Sequence, residues 1–449
     1  MEEKAKSIEI MITNENKILT QWAMEFAQKR GCQGVRISVY SGSNTSIDLR
    51  NAQTDKLQQA SENGMSLNLF IDGRYGTFST NRLVKNELEG FIKQAIDSTR
   101  YLATDESRTL PDSSRYYKGN KPNLNLVDSK FEGVSPDLKM SLAKAMSDEV
   151  MGKDKRIISV DASYGDNEYS SYTIASNGFE GEHASSSFAL SSSVSIKGEG
   201  EARPSSYWYE SALFLDDLKT TGIGQKSLER VMQKIGQKKV TSGKYTMVVD
   251  PMNSSQLLRP VIGAMSGSAL QQKNSFLLDK LGQKIGNDLF TLTDEPHRQK
   301  AFGARYYDFE GIATQPRNVI ENGTLNMYLI DTYIANKMKV APTISSLSIP
   351  VLKPGTKDLE QLITDVSKGI LVTGFNGGNS NSSTGDFSYG VEGFLIENGK
   401  RTQPISEMNV TGNFLTLWNS LAAVGNDPRS SSSWQIPSLV FEDVDFSGL

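Results

Sequence analysis

Three stretches between residues 156 and 198, "IISVDASYG", "SSYTIASNGFEGEH" and "SSFALSSSVSIKG", alternate apolar and small polar residues with a period of two. That period suits a strand and misfits a helix, where one face recurs every 3.6 residues. Asn177-Gly178 supplies the positive φ angles of a tight turn between two of them. The many Ser and Thr residues predict an antiparallel sheet with one wet face. Whatever else the chain builds must cover the other face.

The flanking segments supply the cover. Residues 18–30 read as a helix with Ile18, Trp22 and Phe26 on one face, Leu19, Ala23 and Ala27 beside them, and Gly31 at its end. "VRISVY" and "SLNLFI" read as strands separated by the polar "SGSNTS", and "RYGTFST" as a turn and short strand. "NELEGFIKQAI" places Leu88, Phe91, Ile92, Ala95 and Ile96 at helical spacing. Residues 103–121 are polar and loop-like. A further helix is expected with Ser135 as N-cap, Pro136 in its first turn and Gly152 at its end. Residues 227–236 read as a short amphipathic helix, and a new strand opens at Lys244. The domain boundary is placed between Gln237 and Gly243, giving residues 1–240 and 241–449.

The second half mixes one helical region, 254–272, with many strands. "IENG" occurs at 320–323 and again at 396–399, and each Asn-Gly marks a two-residue hairpin turn. Residues 373–390, "TGFNGGNSNSSTGDFSYG", are read as a disordered loop or a backbone-exposing binding loop. The fold class expected is α+β: an N-terminal α/β-type domain with an antiparallel sheet, then a β-rich C-terminal domain with a buried helix.

The totals exclude several functions. The chain has 449 residues and a formal net charge of -4, without the basic face that nucleic-acid binding needs. One cysteine, Cys32, rules out an intramolecular disulfide and a multi-cysteine zinc site. "MEEKAKSIEIMI" lacks the basic start and apolar run of a signal peptide, and no stretch approaches the ~20 apolar residues of a membrane span. A cytoplasmic location is therefore expected.

Few residues offer chemistry. His183 and His297 lie in separate halves of the chain, so no helix presents two imidazoles a turn apart. Asp294, Glu295 and His297 share the turn "TDEPHRQ", which reads better as exposed polar turn residues than as metal ligands. "GxSxG" is absent, and the Gly-rich run lacks the Gly-Lys-Ser/Thr ending of a phosphate loop. Its small residues suit the close approach of a peptide backbone to a strand edge. In "ARYYDFEG", Asp308 and Glu310 fall on one face if the segment is extended. They could be an acid/base pair, or pair with Arg305, Arg317 or backbone N–H groups.

"KNSFLLDKLGQKI", "GARYYDFEGIATQPRNVIENGTLNMYLIDTYIANK" and "TGDFSYGVEGFLIENGK" occur in the order seen in the TldD/PmbA family, which the chain resembles closely over residues 245–421. Members of that family are described as modulators of DNA gyrase and as metallopeptidases. The resemblance implies two related subunit types that pair as a heterodimer. The TldD type carries the metal on a His-Glu-three residues-His helix and a late cysteine. Here the corresponding segments read "LLRPVIGAMSGSALQQ" and "RSSSSWQIP", with no such ligand.

The chain therefore resembles the PmbA (TldE) subunit, with no catalytic and no metal-binding residue of its own expected. Zinc or iron would sit only in a TldD-type partner. The expected role is to complete a chamber that holds unfolded peptides for proteolysis. The alternative is a stand-alone, non-catalytic peptide-binding homodimer. Neither reading involves nucleic acid or a membrane. Candidate cavity or interface residues are Arg305, Asp308, Glu310, Gly311, Gly377, Gly378, Thr384 and Asp386.

Overall fold

The computed structural model describes residues 12–119 and 123–449. The N-terminal segment that carried the no-leader expectation lies largely outside them, as do the last two residues of the 103–121 loop. No helix among the described residues is long and apolar enough to cross a membrane.

The first half builds one sheet. Strands β1 (Gly34–Arg50), β2 (Gln53–Ile71), β3 (Arg74–Thr80), β4 (Ile157–Ala175), β5 (Phe179–Ile196) and β6 (Ser205–Ala212) are ordered β3-β2-β1-β4-β5-β6. Every pairing is antiparallel. Helices α1 (Asn14–Lys29) and α2 (Lys85–Arg100) cover one end of one face. Val35, Ile37 and Val39 of β1 are fully buried beneath them. α3 (Pro136–Asp148) covers Ile47, Leu49, Ala162 and Tyr164 on the same face, and α4 (Ile223–Met232) packs over Val160, Val194 and Ile196. The opposite face carries Arg36, Ser38, Ser171 and Thr173 and looks toward the second half of the chain.

Several local expectations shift. "SGSNTS" is not a loop: β1 runs straight through it, with Gly42 opposite Glu62 on β2 and Tyr169 on β4. Neighbouring strands on both sides satisfy its backbone, so polar side chains cost it nothing there. α1 turns its small residues, Ala23 and Ala27, into the core, leaving Ile18 69% exposed. α4 begins four residues earlier than its pattern suggested. The Glu149 carboxylate caps it, accepting the backbone N–H groups of Gly222 (2.6 Å), Gly224 (2.7 Å) and Gln225 (3.2 Å).

The second half is β-rich. Its strands are β7 (Gly243–Val249), β8 (Leu292–Asp294), β9 (Arg317–Glu321), β10 (Thr324–Leu325), β11 (Pro350–Leu352), β12 (Lys368–Ser380), β13 (Asp386–Glu397), β14 (Lys400–Asn413), β15 (Leu421–Val424) and β16 (Leu439–Ser447). β14-β13-β12-β7-β16 closes on itself through a β14–β16 pairing into a barrel, with β15 on the outer edge of β16. A small sheet, β10-β9-β8-β11, stands beside it.

Helices α5 (Ser255–Ala264), α6 (Gly267–Gln271), α7 (Thr332–Met338), α8 (Leu359–Thr364) and α9 (Phe414–Asn419) fill in around these strands. α5 buries Leu257, Leu258, Val261 and Ala264 in one core with Met247, Phe290 and Trp418, and holds Pro260 within its span. The single helical region expected at 254–272 is broken because Gly267 donates to the Leu329 carbonyl (2.7 Å), tying α6 to a crossing segment. The Asn-Gly turns of both "IENG" segments form as expected, with φ of 46° and 78° at Asn322 and Gly323 and of 51° and 73° at Asn398 and Gly399, whereas at Asn177-Gly178 only Gly178 has a positive φ (102°), because Ala175 pairs with Phe179 and three residues make the turn.

Candidate functional site

The segment 304–311 is not extended. Tyr307 bridges Ala313, and the chain turns between them. Asp308 is 1% exposed and stitches that turn. Its Oδ1 accepts the backbone N–H groups of Glu310 (2.9 Å) and Ile312 (3.0 Å), and its Oδ2 accepts the hydroxyl (2.8 Å) and N–H (3.2 Å) of Ser345. Glu310 turns elsewhere, accepting the backbone N–H (3.0 Å) and hydroxyl (3.1 Å) of Thr332. Burial raises its carboxyl above the usual glutamate range, and the neighbouring Asp308 adds to this, against the Thr332 hydrogen bonds. The same-face pairing is therefore replaced by two separate backbone clamps. Gly311, at φ +88°, lies where a Cβ would come within 2.7 Å of the Phe179 ring.

Arg305 donates to Ser348 Oγ (2.9 Å) and to the carbonyls of Ser346 (2.9 Å) and Leu347 (3.1 Å). Burial lowers its pKa, with Asp308 and Asp294 opposing. Arg305 and Asp308 line a cavity of about 500 Å³ against the wet face of the sheet, with Arg36, Thr173, His183 and Tyr307. Arg36 lies over the Phe179 ring at 5.6 Å, and its pKa falls through burial. His183 is held below the usual imidazole range by burial and by Arg305. The alternation of "VRISVY" was the signal that could have placed Arg36 on this face.

The remaining predicted residues sit on the β12–β13 hairpin. Residues 373–390 form the ends of two strands rather than a loop, because the pairing continues from Gly378 opposite Tyr389 to Ser380 opposite Phe387. Gly377 and Gly378, at φ +72° and +97°, form an irregularity in that register. Thr384 donates to Asp386 Oδ2 (2.6 Å), and Asn413 donates to Asp386 Oδ1 (2.9 Å) and to the Thr384 carbonyl (2.8 Å). Thr384 and Asp386 thus fasten the tip to β14.

"TDEPHRQ" is not wholly an exposed turn, because Asp294 ends β8 and is fully buried, and its two acids have separate tasks. Asp294 Oδ1 accepts the backbone N–H groups of Ser348 (2.9 Å) and Ile349 (2.8 Å), and Glu295 pairs with Arg298 (2.6 Å). His297 Nε2 lies 3.1 Å from the Thr314 hydroxyl. Cys32 is buried, and burial pushes its thiol up to about 11, with Arg100 opposing.

The fold brings α5 against the segment after β15. Ser255, Gln256 and Arg259 of α5 line a cavity of about 370 Å³ with Arg429, Ser432 and Trp434. Arg259 lies over the Trp434 ring at 4.4 Å, and Arg429 over Trp208 at 4.3 Å. Sequence reading searched this segment for a cysteine and passed over Arg429. A divalent cation does not fit these groups: guanidiniums repel it, and neutral hydroxyls and an amide hold it weakly. Among the described residues no group of three or more His, Cys, Asp or Glu is placed to hold a metal ion.

Known proteins share this architecture. Residues 35–99, 129–235 and 242–448 match, in order, domain 1, the central domain and the C-terminal domain of the PmbA/TldA metallopeptidases. A crystal structure from Bacteroides thetaiotaomicron, described as a candidate modulator of DNA gyrase, superposes with a TM-score of 0.96 at 66% identity, over 98% of this chain and 100% of that one. Metalloprotease PmbA of Escherichia coli O157:H7 is 26% identical, over 95% of this chain and 94% of its own. TldE from Thermococcus kodakarensis shares the fold at a TM-score of 0.84 and 20% identity, over 96% of this chain and 100% of that one. With all three regions matched in order on one continuous fold, the chain belongs to the PmbA/TldD metallopeptidase family.

Proposed function

We propose that this chain is the PmbA (TldE)-type subunit of a cytoplasmic metallopeptidase complex. It binds no catalytic metal itself, completes a chamber with a TldD-type subunit and helps hold unfolded peptides for cleavage. The zinc or iron belongs to the partner, which activates the water and carries out peptide hydrolysis.

One observation carries the reading. Arg259, Arg429, Gln256 and Ser432 surround the cavity between α5 and the 429–434 segment, where the resemblance puts the partner type's metal ligands. That set attracts anions and repels metal ions. The cavity lined by Arg36 and Arg305 at the wet sheet face is, in this reading, a second polar surface for holding peptide. Nucleic acid is no part of the reading, since the net charge is -4.

The test is metal analysis and peptidase assay of the purified full chain, alone and mixed with a TldD-type subunit from the same genome. Metal and activity are expected only in the mixture. Stoichiometric metal in the lone chain, or chelator-sensitive cleavage by it, would sink the proposal. Peptide binding by a homodimer that ignores the TldD-type subunit would favour the stand-alone, non-catalytic alternative.

A further inference from the structure

We propose that the cavity between α5, β6 and the 429–434 segment is a carboxylate-binding site, which anchors an extended peptide by its C-terminal carboxylate or an acidic side chain. This rests on the peptide-holding role above and adds to it the chemistry that is recognised.

The cavity, about 370 Å³, is lined by two guanidiniums, Arg259 and Arg429, and no acidic residue stands among its lining residues. The Arg259 guanidinium carbon lies 4.4 Å from the Trp434 ring centroid. A guanidinium held beside a ring in this way can still turn its N–H groups to a carboxylate, which it matches in two parallel hydrogen bonds. Arg429 is built in more deeply, its side chain only 11% exposed. It rests on Trp208 (4.3 Å) and Tyr209 (4.7 Å) and donates to the Tyr209 carbonyl (2.6 Å). Its Nε is buried with no hydrogen-bond partner among the described residues.

The surroundings are positive. Lys226 and Arg230 lie over the same Trp208 ring at 4.1 and 5.5 Å. Among the described residues two acids form ion pairs with these cations, neither at hydrogen-bond distance: Glu210 is 3.8 Å from Arg429 and Asp250 is 3.7 Å from Arg230. The Lys226 ammonium is lowered by burial first, and Arg230, Arg429 and Lys219 push it further against Glu210. Four cations, Arg259, Arg429, Lys226 and Arg230, thus stand against two acids, and a carboxylate entering here meets a field only partly compensated.

There is room for the rest of a peptide. Met252 and Gln256 also line an adjoining groove of about 380 Å³, which runs past Tyr207, Thr373 and Phe375. The outer edge of β6 is already partly taken, since the carbonyls of Ser205 and Tyr209 accept from Lys234 (2.8 Å) and Arg429 (2.6 Å). The peptide is therefore held by a carboxylate rather than as an added strand.

The test is fluorescence anisotropy with labelled unstructured decapeptides and the full chain, alone and mixed with its TldD-type partner. One peptide pair has a free or amidated C-terminus, and a second, amidated pair has an internal Glu or Gln. The acid of at least one pair is expected to bind about tenfold tighter than its neutral twin. Which pair shows the difference identifies the source of the carboxylate. Arg259→Gln, at an exposed position on α5, should erase the difference without changing the melting temperature, and Arg259→Lys should keep part of it. Equal binding within both pairs, or a preference unchanged in Arg259→Gln, overturns the carboxylate site and leaves peptide holding intact. No binding of any peptide, with or without the partner, overturns both.

Discussion

Glu310 reaches across to the start of α7, where its carboxylate receives both the backbone N–H (3.0 Å) and the hydroxyl (3.1 Å) of Thr332. The contact ties the 304–311 turn to the helix, although 22 residues separate the two groups. Removing the acceptor leaves two partly buried donors without a partner. Glu310→Ala should destabilise the protein by about 1–3 kcal/mol. Glu310→Gln, which keeps one acceptor oxygen, should cost less than half of that. Urea unfolding of the two variants checks the order, and an unchanged midpoint for Glu310→Ala would show that the contact carries no stability.

Asp308 makes the stronger demand. It is almost fully buried and accepts four hydrogen bonds, two on each oxygen. Asparagine can accept on one side only and would point an NH₂ group at the donors on the other. Asp308→Asn should therefore cost about 2–4 kcal/mol, more than Glu310→Gln, although both changes remove one charge. The same unfolding series measures it, and the reverse order would mean that Asp308 is not what closes the turn.

These two acids show how far sequence reading reaches. Their closeness in sequence was visible, but their partners, Ser345 and Thr332, lie on later segments that no local pattern connects to them. The same limit explains α4, whose first turn is capped by Glu149 from 73 residues upstream. Where the physics is local, the reading holds: Ser135 accepts the Leu138 N–H (3.2 Å) as an N-cap, and the two "IENG" turns have their positive φ angles. Where pairing with distant strands overrides composition, it fails, as at "SGSNTS", with ladders on both sides, and at the Gly-rich hairpin, whose first arm pairs only with β13 beyond Val372. In the α5 cavity, Arg429 and Tyr209 meet across 220 residues of chain, and neither sits in a pattern of its own.

Gly377 and Gly378 offer a control on the hairpin. Both have positive φ, but a Cβ on Gly377 would meet nothing within 4 Å, whereas one on Gly378 would lie 2.1 Å from the Ser388 carbonyl oxygen and 2.7 Å from the Tyr389 Cα. Gly377→Ala should cost only the backbone term, about 1 kcal/mol. Gly378→Ala must also push the paired strand away and should cost clearly more, with loss of protection of the hairpin amides in hydrogen exchange. Equal costs would mean that this stretch is not paired in the register seen here.

Asp294 gives a pH dependence of definite sign. It is fully buried, its Oδ1 accepts two backbone N–H groups, and its Oδ2 has no partner among the described residues. Burial raises its carboxyl, against the Ile349 and Ser348 N–H groups and the more distant Arg305 and Arg317. A carboxyl whose folded pKa lies above its unfolded value favours the folded state when protonated. That contribution is complete below the unfolded value, about 3.9, and is lost as the pH rises through the folded one. Asp294→Asn keeps an acceptor for Ser348 and Ile349 and cannot ionise. Its melting temperature relative to the unaltered protein should therefore climb as the pH rises from about 4, then level off. Taking the difference cancels the other titrating groups, so the slope isolates Asp294 even if the new NH₂ group has its own fixed cost. A flat difference between pH 3 and 8, or a falling one, would show that the ionised carboxylate is stabilised in the fold by more than its two backbone donors.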